Sequence, residues 1–206
     1  MKVMDNKICK LKHMQFFLSS IYSKKQNNKI VYEKIVEEKS STGLLKVISE
    51  VLTDICEQSK FLKDENIFLV KSFTTKKRPN ISIYEFLKRL YKYSKVSENI
   101  LILVLIYIDR LCRNRKICLN YFNIHKLIIA SFVTAIKFNS DEYYSLEFYA
   151  KLGGISQKEI ILLEYEFVAL LDFKLFVEEK LFHKYDNNLR NAELDEDEDC
   201  DYESDG

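Results

Sequence analysis

The sequence predicts an all-α protein, and three observations carry that prediction. Breakers are scarce, with four Gly and a single Pro in 206 residues, too few for the many turns of an all-β sandwich. Apolar residues recur at three- and four-residue steps rather than in strict alternation. Between Pro79 and Leu175, five helical blocks follow one another, each opened by a residue suited to an N-cap and separated from the next by a short polar break.

Taken in order, residues 1–43 mix polar and apolar side chains with little period, and a poorly ordered N-terminal segment is expected there. Residues 44–78 are expected to hold an N-terminal helix and a connector. Leu44, Val47, Ile48, Val51, Leu52, Ile55 and Cys56 form one apolar stripe, with Ser41 or Thr42 as its cap. Residues 79–175 hold the five blocks. Ser82 with Glu85 three positions on is a capping-box pattern and opens the first helix, through Tyr93. Ser97 opens the second, through Arg115, and Asn123 the third, through Phe138. Both are apolar on nearly every side and are expected to be buried on every side. Ser145 opens a short fourth helix, which Gly153-Gly154 ends, because glycine takes the left-handed conformation at least cost. Ser156 and Glu159 repeat the capping-box pattern and open the fifth helix, through Leu171. A C-terminal helix is expected over 176–190 and a disordered acidic tail over 191–206. The connectors are short, so successive helices must be neighbours. Two wholly apolar helices among amphipathic ones predict a buried hub wrapped by the rest, not a symmetric bundle.

Length and composition bound the function. A chain of 206 residues suits one domain with a real core. The net charge of +1 hides an asymmetry: nine acidic residues fall between Glu193 and Asp205, leaving 22 acidic against 32 basic residues elsewhere. That tail reads as a solvated segment. Five cysteines, none in C-x-x-C spacing, read as reduced thiols of an intracellular protein, cytoplasmic or nuclear, rather than a disulfide framework or zinc site. The longest apolar run, Ile100–Ile108, is about half a membrane span, so no membrane partner is expected, nor a signal peptide.

The residues at the helix ends resemble those of the cyclins. Tyr-Ile-Asp-Arg at 107–110 lies toward the end of the second helix, Ala-Ile-Lys-Phe at 135–138 ends the third, and Leu-Glu-Tyr-Glu-Phe at 163–167 lies in the fifth, followed by Leu-Leu-Asp-Phe at 170–173. Together they resemble a single five-helix cyclin box with flanking helices. Ile81-Ser82-Ile83-Tyr84, Tyr143-Tyr144 and the stretch from Tyr149 to Ser156 are similar to the phosphate-pathway or U-type (P-type) cyclins. Mitotic-type cyclins place an Arg early in the first helix, within a substrate-docking patch. Asn80 stands there in this chain, which argues against docking of Arg-x-Leu substrates by that route.

The resemblance implies a regulatory subunit, not an enzyme, that binds and activates a cyclin-dependent protein kinase. No metal or cofactor of its own is implied. Lys137 and Glu164 match the family's paired kinase-binding positions and are expected to bond main-chain groups near the kinase helix that carries its regulatory glutamate. Phe138, Val168 and Phe173 flank them and are expected to supply the apolar part of the interface. Without the resemblance, Lys137 is a cation suited to a helix C-terminus and Glu164 a solvated helical residue. The aromatics would then be core. Asp109 reads as a structural hydrogen-bonding group. No Gly-rich phosphate loop or nucleophile motif occurs, and Glu164 and Glu166, two apart on a helix, point to different sides. Two rival readings remain: a cyclin-fold adaptor for a non-kinase partner, for example in transcription, and, more weakly, a nucleic-acid binder using the basic body of the chain, in which the basic stretch Lys71–Arg78 reads first as a solvated loop leading into the box.

Overall fold

Three helix starts are capped as their sequences predict. Ser82 Oγ accepts the Glu85 N–H at 3.1 Å, Ser145 Oγ that of Phe148 at 3.3 Å, and Ser156 Oγ that of Glu159 at 3.1 Å. Each satisfies a backbone donor that has no partner inside its helix. The computed structural model describes residues 40–59, 71–115 and 117–199. Among these residues the elements are α1 (Ser40–Ser59), a 3-10 turn (Lys71–Phe73), α2 (Ile83–Ser94), α3 (Glu98–Arg115), α4 (Ile124–Asn139), α5 (Leu146–Gly153), α6 (Gln157–Leu170) and α7 (Glu179–Asp199), with no strand. The all-α expectation holds, and α2 to α6 are the five blocks read from the sequence.

Several boundaries differ in informative ways. α1 begins at Ser40, so Ser41 and Thr42 lie inside the helix instead of capping it. Asn123 stands at the N-cap of α4 but makes no capping bond. Its side chain closes the preceding loop, accepting the Asn120 N–H at 2.9 Å and donating to the Cys118 carbonyl at 2.8 Å. α7 runs past Arg190 to Asp199; no Gly or Pro interrupts this stretch, and Glu, Leu and Ala favour a helix. The expectations for residues 1–39, for the connector over 60–70 and for 200–206 lie outside the described residues.

The hub forms as its composition demands. Every side chain from Ile100 to Asp109 is buried, and α4 is buried from Ile124 to Ile136 except at Lys126. α3 and α4 make the most extensive helix–helix contact. α6 covers one side of α4, α5 packs against α2, α4 and α6, and α1 packs against α2 and α3. α7 closes the other side, on α1 and α3, where Arg190 bonds Glu98 at 3.0 Å and Asp186 at 2.9 Å. The end of α5 shows why two glycines stand together. Gly154 has φ 67°, and the Ile155 N–H reaches back to the Ala150 carbonyl at 3.0 Å, a Schellman ending. Gly153 faces the hub, where a Cβ would lie 3.2 Å from Ile129 Cγ1.

A candidate partner-binding face on α4 and α6

The last turn of α4 carries the chain out of the core. Ile136 is fully buried, whereas Lys137, Phe138 and Asn139 are exposed. On α6, Ile160, Leu163 and Phe167 form the buried stripe. The next stripe round the helix is Ile161, Glu164, Tyr165 and Val168, spaced i, i+3, i+4, i+7 and therefore on one face. It is partly or fully open to water, with Ile161 48 % and Tyr165 68 % exposed. α4 packs on α6, so the two surfaces adjoin.

Lys137 and Glu164 meet at this junction. Lys137 Nζ donates to Glu164 Oε1 at 2.7 Å, bridging α4 and α6. Neither is a freely solvated helical residue, since Glu164 in particular is mostly covered. Phe138 follows Lys137 and is half exposed; the core reading for it fails. Val168 lies one turn beyond Glu164 and is partly buried. Phe173 is linked to Val168 through the backbone, its N–H donating to the Val168 carbonyl at 3.1 Å, while the Asp172 N–H bonds Ala169 at 3.0 Å. This is a second Schellman ending, with Asp172 (φ 53°) where glycine is usual. It turns the Phe173 ring into solvent, 71 % exposed.

All five residues singled out by sequence thus stand on or beside the outer ends of α4 and α6, and Lys137 and Glu164 touch. Ile161 and Tyr165 were missed. Their signal was present as helical spacing from Glu164, but in a chain this rich in Ile and Tyr the exposed stripe is distinguishable only once the buried one is known.

The other polar groups that invite a chemical reading are structural. Asp109, buried on α3, accepts from Arg113 one turn on and from Tyr185 of α7. Burial raises its carboxyl above the usual range, and the bonds from Tyr185 and Arg113 oppose that rise. Its other oxygen has no partner among the described residues. His125 is buried against the Phe86 ring, centroids 5.1 Å apart, with Nε2 3.0 Å from the Ile81 carbonyl. Burial pushes the Cys112 thiol up, away from nucleophilic use. No group of three or more metal-ligating side chains occurs among the described residues. No helix among them is long and apolar enough to cross a membrane. The basic stretch is partly docked: Arg78 lies over the Tyr121 ring at 3.6 Å, and the Thr75 N–H bonds the Phe122 carbonyl at 2.8 Å.

Among the described residues a helical hub is wrapped by amphipathic helices and carries an exposed stripe beside the α4–α6 junction, and comparison with known families gives its class. The cyclin family model matches residues 10–175, most of the chain, and the protein belongs to the cyclin family. Within it, the chain's relatives include U-type, P-type and PHO85 cyclins. The chain is 40 % identical to Cyclin-U4-1 of Arabidopsis thaliana over 114 residues, 55 % of this chain and 56 % of that protein. It is 36 % identical to PHO85 cyclin-7 of Saccharomyces cerevisiae over 150 residues, 66 % of this chain and 53 % of that protein. It is 31 % identical to Cyclin-P3-1 of Oryza sativa subsp. japonica over 179 residues, 84 % of this chain and 72 % of that protein. The chain spans little more than half the length of the first and second of these. Cyclins are regulatory proteins rather than enzymes.

Proposed function

We propose that this chain binds and activates a cyclin-dependent protein kinase through the face built by the ends of α4 and α6. Membership of the cyclin family and relatives named as PHO85 cyclins support the reading. The observation that carries it on this chain is the Lys137–Glu164 pair, set at the helix junction beside exposed Phe138, Tyr165 and Phe173.

The pair supplies one strong donor and one strong acceptor. Against a partner's main chain, Glu164 takes an N–H and Lys137 gives to a carbonyl, each bond charge-assisted and strengthened as the apolar surround excludes water. In the free chain the two charges satisfy one another, which limits their desolvation cost before the partner arrives. Activation then follows as a population shift. The cyclin binds the active arrangement of the kinase better than the inactive one, and it shifts the equilibrium only by that difference in affinity.

The test is purification of the tagged chain followed by a kinase assay. Recovery of a cyclin-dependent kinase catalytic subunit whose activity rises with added chain is the expected result. A stable complex lacking any kinase catalytic subunit would overturn the proposal in favour of the adaptor.

A further inference from the structure

Beyond α6 the chain runs as a strap without regular secondary structure before α7 begins, and it is held from a distance. Three successive carbonyls of the strap are bonded by two side chains of α3. Arg110 Nη1 donates to the Lys174 carbonyl, Tyr107 Oη to that of Leu175 at 2.8 Å, and Arg110 Nη2 to that of Phe176 at 3.2 Å. Tyr107 and Arg110 are three positions apart, so they share a face of α3. Tyr107 is fully buried, and its hydroxyl also receives a bond from Asn139 Nδ2 at 3.5 Å. Asn139 closes α4, two residues after Lys137, and is itself fixed to the Ala135 carbonyl at 2.8 Å. One buried hydroxyl therefore joins the end of α4 to the strap.

The strap is arranged oddly for a mere connector. It leaves α6 through two consecutive left-handed residues, Asp172 (φ 53°) and Phe173 (φ 58°), a conformation unfavourable for any residue with a Cβ and more so for a bulky one. Its backbone is bonded inward, yet Phe173 and Phe176 point outward. At 71 % and 73 % they are the most exposed large apolar side chains among the described residues. A segment whose only task was to reach α7 would gain by burying these rings.

We propose that Tyr107 and Arg110 are positioning residues for partner binding: they lock the strap so that Phe173 and Phe176 stand as preformed aromatic anchors for the kinase. This rests on the kinase-binding reading above and adds to it Phe176, which lies outside the residues expected at the interface, and a reason for the Tyr-Ile-Asp-Arg sequence at 107–110. An anchor fixed before encounter loses less conformational freedom on binding, and an aromatic ring at an interface centre is where binding energy concentrates. Arginine suits position 110 because its planar fork spans two carbonyls at once, whereas a lysine ammonium is a point charge that holds them less well.

The full chain is tested with purified Saccharomyces cerevisiae PHO85 as probe, reading affinity, melting temperature and hydrogen exchange over 172–178. Arg110→Ala is expected to speed exchange in the strap and to weaken binding about tenfold or more, with the rest of the exchange pattern unchanged. Arg110→Lys is expected to fall between that variant and wild type. Phe176→Ala, which removes an exposed ring and leaves the clasp intact, is expected to weaken binding with strap exchange unchanged. Wild-type affinity in either Arg110→Ala or Phe176→Ala, or unaltered strap exchange in Arg110→Ala, would overturn the proposal. A wild-type chain that binds neither PHO85 nor any cyclin-dependent kinase catalytic subunit in the purification above would overturn the kinase reading itself and this role with it. The exchange measurement separates that outcome from failure of the clasp alone.

Discussion

His125 sits in the first turn of α4, where a charged imidazole is opposed by the helix dipole, and it is buried. Burial holds it below the ordinary 6.5 of a free histidine, while backbone bonds at Ile81 and Ser82 pull the other way. The folded protein therefore prefers neutral His125. That contribution to stability is fully present above pH 6.5 and is lost as pH falls, because the unfolded chain takes the proton first. The loss is at most about 1.4 kcal/mol per pH unit. Urea midpoints at about pH 7.5 and about pH 5.5 should fall further apart in wild type than in His125→Gln, and equal shifts in both would refute the assignment. Gly154 makes a second prediction at this scale. Its φ of 67° suits glycine alone at low cost, so Gly154→Ala should destabilise the protein by about 1 kcal/mol in denaturant unfolding. Chemistry this local was legible in the sequence: the serine caps and the glycine stop need only a few neighbouring residues. Asn123 shows the limit, because a residue able to cap a helix is equally able to close a loop, and only the loop's shape decides.

Among the elements, α3 and α4 were legible as buried because their apolar residues leave no polar face to put in water. The use of the polar residues at their ends was not. Asp109, Arg113 and Tyr185 meet across α3 and α7, and Tyr107 and Arg110 reach a strap more than sixty residues away. No local pattern encodes such pairings. The α3–α7 contact has a direct consequence. In Tyr185→Phe, the buried Asp109 carboxylate keeps Arg113 but loses its hydroxyl donor, while its other oxygen already has no partner among the described residues. The expected cost is about 1–3 kcal/mol, read as a lower melting temperature with faster exchange in α7. Unchanged stability would show that the contact contributes nothing net.

For the whole molecule, what matters is that two helices distant in sequence end side by side and open one face to solvent. Periodicity and caps predicted a hub. The order of motifs, through family resemblance, pointed to Lys137 and Glu164, and the fold brings them to 2.7 Å. Exposed Ile161 and Tyr165 complete a stripe that composition hid. A single ion pair at the surface, with Lys137 still 32 % exposed, adds about 0–1 kcal/mol to folding, and the melting temperature of the variant separates loss of stability from loss of recognition. The decisive measurement is PHO85 binding by the double variant Lys137→Ala, Glu164→Ala, alongside its helical circular dichroism and melting temperature. The account predicts that the wild-type chain binds PHO85 and that the folded double variant does not. A folded double variant that still bound at full strength would contradict it.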